Sequence, residues 1–179
     1  KGDAIGIYSV CADVPDAINT MYVADLSEEV SSFTFASPIY RIKWKSDTES
    51  HDFYAYYPYG ERVGDDFTSV RVSVPAVQIQ PSADNVAHIS QAHFMWASKV
   101  DVVRSDDPVT FTFNHAFSVI DLELFTEQKI VIDKVIFRIK DKSDAVLAFT
   151  DGSFDLADGT LDLAGAQTTS SVTVECGFT

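Results

Sequence analysis

Five aromatic side chains crowd into the eight residues Asp52-Phe53-Tyr54-Ala55-Tyr56-Tyr57-Pro58-Tyr59. Successive side chains of a strand point to opposite faces, so a strand with one wet face alternates polar with apolar residues. Here both parities carry rings, Tyr54 and Tyr56 on one and Phe53, Tyr57 and Tyr59 on the other. The pattern predicts a strand over 52–57 that is covered on both faces, inside a sandwich. Pro58 has no amide hydrogen to donate, so pairing ends or passes to an edge there.

A period of two recurs along the chain. Val70, Val72 and Val74 alternate with Ser69, Arg71 and Ser73, and Val172, Val174 and Cys176 alternate with Ser171, Thr173 and Glu175. Strands are predicted over 68–74 and 171–176 on that basis, and over 4–10, 20–24, 40–44, 93–97, 109–113, 117–125 and 130–140. Phe53, Tyr57, Ile120, Leu122, Val135 and Phe137 are expected in the core. Asp151-Gly152 and Asp158-Gly159 read as hairpin turns within a meander over 145–163. Helix is expected at most over 84–91 and 14–19, both too short to cross between parallel strands. The expected architecture is all-β, an antiparallel Greek-key β-sandwich forming one domain over 1–179.

The chain's 179 residues are enough to hold a core, and a 46% hydrophobic content excludes a disordered chain. Its 27 acidic and 13 basic residues give a net charge of −14, which repels nucleic acid, so no nucleic-acid partner is expected. No run of eighteen apolar residues exists to make a transmembrane helix. Cys11 and Cys176 make neither a disulfide-dense framework nor a C-x-x-C motif. Cys11 directly follows one predicted strand and Cys176 lies on another, near opposite ends of the chain, so either one bridge or two buried thiols fits.

Chemistry finds little support. His51, His88, His93 and His115 sit in no catalytic motif; His115 reads as a structural hydrogen-bonding residue and His51 as half of a solvated polar pair with Asp52. The serines lack a Gly-x-Ser-x-Gly elbow or a Ser-x-x-Lys pair. Glu28-Glu29, Asp65-Asp66 and Asp106-Asp107 are neighbours whose side chains diverge on a strand, whereas glycosidase acids converge across a cleft. Asp155, Asp158 and Asp162 around Gly159 have the wrong spacing for an EF-hand, and turn geometry explains them. Trp44, Trp96 and the clustered tyrosines are a possible sugar-stacking platform, but Tyr40, Ile42 and Trp44 share a parity opposite Arg41, Lys43 and Lys45, which turns Trp44 to the core. No catalytic, cofactor-binding or metal-binding residue is therefore predicted, and the chain is expected not to be an enzyme.

Four segments taken together carry a family resemblance. Asp3-Ala4-Ile5-Gly6-Ile7-Tyr8, the aromatic stretch, Phe94-Met95-Trp96-Ala97 and Phe113-Asn114-His115-Ala116-Phe117-Ser118 resemble, in order and spacing, the N-terminal domain of the fimbrillin-like surface proteins of Bacteroidetes. The resemblance implies a transthyretin-like sandwich, export behind a leader preceding Lys1, and a place at the cell surface or outer membrane. It implies a structural component of fimbriae or pili, or an accessory adhesin. Its partners would be other fimbrial subunits joined by strand addition after proteolytic removal of a leading strand, together with host or bacterial surface ligands. The family usually carries a second sandwich, for which this chain has no evident equivalent. The edges expected to receive a strand are the terminal segments 4–10 and 171–176. The competing function is a surface carbohydrate-binding module that uses exposed aromatics.

Overall fold

The computed structural model describes residues 2–12, 14–25, 31–60, 64, 66–140 and 145–178. Its strands are β1 (Ala4–Cys11), β2 (Val14–Ala24), β3 (Phe33–Phe35), β4 (His51–Tyr57), β5 (Val70–Val74), β6 (Val77–Ile79) and β7 (Met95–Val102). They continue as β8 (Asn114–His115), β9 (Ile132–Arg138), β10 (Ala148–Phe154), β11 (Leu161–Asp162), β12 (Gln167–Thr169) and β13 (Ser171–Phe178). Helix is confined to two short 3-10 segments, Pro38–Tyr40 and Ala87–Gln91. The fold is all-β, as the period-two pattern predicts.

The chain divides into two compact units, the first Lys1–Arg71, Phe94–Ala116 and Ser153–Leu161, the second Val72–His93, Phe117–Gly152 and Asp162–Thr179. In the first unit a six-stranded antiparallel sheet runs β3-β2-β1-β4-β7-β8. The aromatic strand β4 is near its centre, paired with β1 on one side and β7 on the other. Phe53, Tyr54, Ala55 and Tyr56 are all buried, so both faces of β4 are covered as expected. One face gathers Ile5, Ile7, Phe53 and Ala55, with Ile42, Trp44, Val109, Phe111 and Phe113 packed on them. The other carries Tyr8, Tyr54 and Tyr56, with Tyr54 stacked on Phe67 at 4.0 Å and Tyr56 on Phe94 at 5.9 Å.

Residues 41–44 and 109–113, within predicted strands, have no ladder pairing, and Tyr40 closes the first 3-10 segment. Their alternation still operates, because Val109, Phe111 and Phe113 are half-buried while Thr110 and Thr112 are exposed. They lie on the sheet through side chains rather than through main-chain bonds. Residues 14–19, read as a short helix, belong instead to β2, whose register against β1 shifts at Ser9. At the shift Asn19 has φ 44, the left-handed conformation that asparagine tolerates well.

In the second unit β13 lies between β6, which is parallel to it, and β9, which is antiparallel. The parallel pair departs from the expected antiparallel pattern. β10 pairs antiparallel with β12 through Ala148, Phe149 and Thr150, and it also pairs with β11 and β5. Asp151-Gly152 is therefore inside a strand and not at a turn, with Asp151 at φ 58 and its amide donating to Ser73 Oγ at 3.1 Å. Asp158-Gly159 is a turn, with Gly159 at φ 78 and its amide donating to the Asp155 carbonyl. Residues 117–125 form no strand, and Ile120 and Leu122 are exposed, contrary to the predicted core. Val135 and Phe137 are half-buried rather than buried.

Candidate functional site

The sequence pointed to the terminal segments as receptive edges, and the sheets place them elsewhere. β1 is held between β2 and β4, and β13 between β6 and β9, so each already has partners on both sides. A Val/Ile-rich stripe marks a strand as buried, which favours the middle of a sheet over its rim. Among the described residues the rims of the first unit's sheet are β3 and β8, of three and two residues. The rims of the β6-β13-β9 sheet are β6 and β9. β6 exposes Val77 and Ile79 at 52% and 63%, and Pro75 and Pro81 bracket it.

A polar group lies at one end of the first unit's sheet. His51 is 0% exposed, and its Nε2 accepts the Lys45 amide hydrogen at 3.2 Å. Its ring stacks on Phe53 at 6.2 Å, and Trp44 meets it edge-on at 4.9 Å. Across the ladder from it stands Cys11, whose thiol points a weak 3.9 Å contact at Glu49 Oε2. Lys45 Nζ pairs with Asp16 Oδ1 at 3.0 Å. Burial first, then the Glu49 and Asp16 carboxylates, push the Cys11 thiol above its ordinary value, with Lys45 opposing. A thiol held protonated in this way is a poor nucleophile. The sequence reading of His51 as a solvated partner of Asp52 is thus corrected. The available signal was its place at the head of a strand whose next odd residues, Phe53 and Ala55, face the core.

On the opposite face Tyr56 fixes the loop after β4. Its hydroxyl lies 2.7 Å from Asn19 Oδ1 and 3.0 Å from the Gly60 carbonyl, and accepts the Gly60 amide hydrogen at 3.1 Å. Asn19 Nδ2 donates to the same carbonyl at 2.8 Å, so the irregularity in β2 aims its side chain at this loop. Gly6 sits opposite Tyr56 in the ladder, and a Cβ there would meet the Tyr56 ring and Asn19 Oδ1. A cleft of about 370 Å³ opens beside β1 and β2, walled by Tyr8, Val10, Pro15, Ile18, Phe67 and Asp66. The Asp66 carboxylate is occupied by the Thr68 amide and hydroxyl, both at 2.9 Å.

The remaining candidates stand apart. His88 and His93 are half-buried, and His115 is exposed in the short rim strand β8, paired with Met95. Asp106 and Asp107 are exposed in a loop; Glu28-Glu29 and Asp65 lie outside the described residues. Asp155, Asp158 and Asp162 each accept an amide hydrogen from two residues ahead, at 2.7 to 2.9 Å, so each closes its own turn. Trp44 packs on Phe53 at 5.6 Å, and Trp96 on Phe154 at 5.9 Å and beneath Gly159. Both indoles are half-buried in packing, which removes the open platform that sugar stacking needs. Cys11 and Cys176 are both free thiols. Among the described residues no helix is long and apolar enough to cross a membrane.

Antiparallel sheets packed by aromatic rings define an all-β class of protein. Residues 1–176 match the fimbrillin-like family, and the chain belongs to it. A curated relative from Bacteroides uniformis, provisionally named fimbrium subunit Fim1C, is 31% identical over 179 residues, 98% of this chain and 48% of that protein. A crystal structure of a provisionally assigned cell adhesion protein from Bacteroides uniformis superposes with a TM-score of 0.58 at 24% identity, over 96% of this chain and 63% of that one. Another, from Bacteroides ovatus with the same provisional assignment, gives 0.53 at 21% identity, over 98% and 63%. At these identities the solved structures speak to fold. The chain spans about half the length of the curated relative.

Proposed function

We propose that residues 1–179 act as one non-catalytic, fimbrillin-like domain with Greek-key, transthyretin-like topology, serving in a cell-surface fimbria as a structural subunit or accessory adhesin. Membership of the fimbrillin-like family over residues 1–176 carries this reading. The name of the curated relative supports it. Its partners are other fimbrial subunits, joined by strand addition, in which main-chain hydrogen bonds supply pairing and alternate side chains supply fit.

The receiving edge we assign is β6, where Val77 and Ile79 are exposed on a strand whose described partner lies on one side. Charge on a rim strand opposes edge pairing. The test mixes the protein with processed and unprocessed full-length subunits encoded beside it and resolves complexes by size exclusion and electron microscopy. Complexes that form with wild type and fail with Val77→Lys/Ile79→Lys support the edge. Complexes indifferent to that variant move the junction elsewhere. A protein that stays monomeric with every subunit while binding a defined glycan overturns the assembly reading.

A further inference from the structure

Residues 41–50 cross one face of the first unit's sheet as a strap with no ladder pairing. Ile42 and Trp44 are its apolar anchors on the cluster of Ile5, Ile7, Phe53 and Ala55. Among the described residues its polar ties to the rest of the unit are the Ile42 amide donating to Tyr22 Oη at 3.3 Å, the Lys45 amide donating to His51 Nε2 at 3.2 Å, the pairs of Lys45 with Asp16 and Asp47 with Arg104, and the weak contact of the Cys11 thiol with Glu49. We propose that His51 is a pH-sensitive latch for this strap, and that protonating its imidazole frees residues 41–50 from the sheet.

Nε2 can accept the Lys45 amide hydrogen while it holds a lone pair, so the latched imidazole is neutral, with its proton on Nδ1. A second proton, placed on Nε2, turns that acceptor into a donor facing another donor. The hydrogen bond is then lost, and a cation stands at a position of 0% exposure between the Trp44 edge and the Phe53 ring. Among the described residues Nδ1 has no hydrogen-bond partner, so no carboxylate is in place to receive the charge. The charged groups and the thiol on the surrounding elements are Cys11 of β1, Asp16 of β2, Asp52 of β4, Lys99 and Asp101 of β7, Arg104 beyond it, and Arg41, Lys43, Lys45, Asp47 and Glu49 of the strap. Asp16 is engaged by Lys45, and Asp52 accepts the Asp101 amide hydrogen. Moving the strap outward is the way for the imidazolium to reach water without unpairing β4 from β1 and β7.

The test follows acrylamide quenching of Trp44 in a Trp96→Phe background and of Trp96 in a Trp44→Phe background, from about pH 8 to about pH 4. The expected result is a several-fold rise in quencher access to Trp44 on acidification while access to Trp96 is unchanged. Hydrogen exchange of the wild-type protein, corrected for intrinsic rates, should show the Lys45 amide losing protection over the same range while β4 keeps it. His51→Gln, whose side-chain carbonyl can accept the same hydrogen without titrating, should flatten the response; Asp16→Asn should leave it in place. A Trp44 that stays shielded until Trp96 opens overturns the latch, because acid then unfolds the unit as a whole. An unchanged acid response in His51→Gln, or one abolished by Asp16→Asn alone, also overturns it and assigns the response to the carboxylate.

Discussion

Residues 109–113 and 117–125 have the same period-two pattern and neither joins a ladder, yet they end in opposite environments. Val109, Phe111 and Phe113 are turned onto the β4 face and half-buried. In the later segment Ile120 and Leu122 are 64% and 49% exposed, and Phe125 is 87% exposed. Alternation specifies that one set of side chains can share a face. It does not supply the surface against which that face is buried, and that surface decides the energetics.

The sharpest test of this contrast starts with the sheet itself. Phe53→Ala should cost about 3–5 kcal/mol, because the ring is enclosed by β1, β7 and the strap and the cavity cannot collapse easily; urea denaturation measures it. Phe111→Ala should cost roughly 2 kcal/mol, since that side chain is only partly buried against the sheet. A loss matching Phe53→Ala would mean that the 109–113 ribbon is as integral as a strand. Tyr56→Phe should cost about 1–1.5 kcal/mol through its hydroxyl network. Ile120→Ala should stay within about 0.5 kcal/mol; a loss several times larger would show that 117–125 is covered and would erase the contrast.

The hydroxyl network has an alkaline signature. Burial pushes the Tyr56 phenol up to about 12, against the lowering effect of the Gly60 and Asn19 hydrogen bonds. The unfolded phenol ionises near ~10, so the unfolded state releases its proton first as pH rises. Stability from this group is complete below about pH 10 and is lost progressively between about pH 10 and pH 12. Urea midpoints for wild type and Tyr56→Phe should therefore converge across that interval. Parallel decline of the two would place the effect on other groups.

Much of the strand layout was legible because its signal is local. β4, β1, β5 and β13 follow from parity within six to eight residues, and Asp158-Gly159 from turn chemistry. Partner choice was not legible. β6 joins β13 across roughly a hundred residues, and no pattern inside Val77–Ile79 names Ser171–Phe178 as its mate. The same limit misplaced the receptive rims, since a stripe of Val and Ile on 4–10 and 171–176 reports burial without saying how many neighbours provide it. Residues 14–19 were misread as helix because an irregular strand bearing Asn19 at φ 44 has no clean period. The His51 site was hidden for a different reason. A polar residue next to Asp52 reads as solvated until the strap that covers it is known.

The position of β1 has a mechanical consequence. Its hydrogen bonds to β2 and β4 run across the strand direction on both sides. A pull on its first residues along the strand loads the two rows in shear, so that they must yield together rather than open pair by pair. That strand is thereby braced on both sides against tension along its axis.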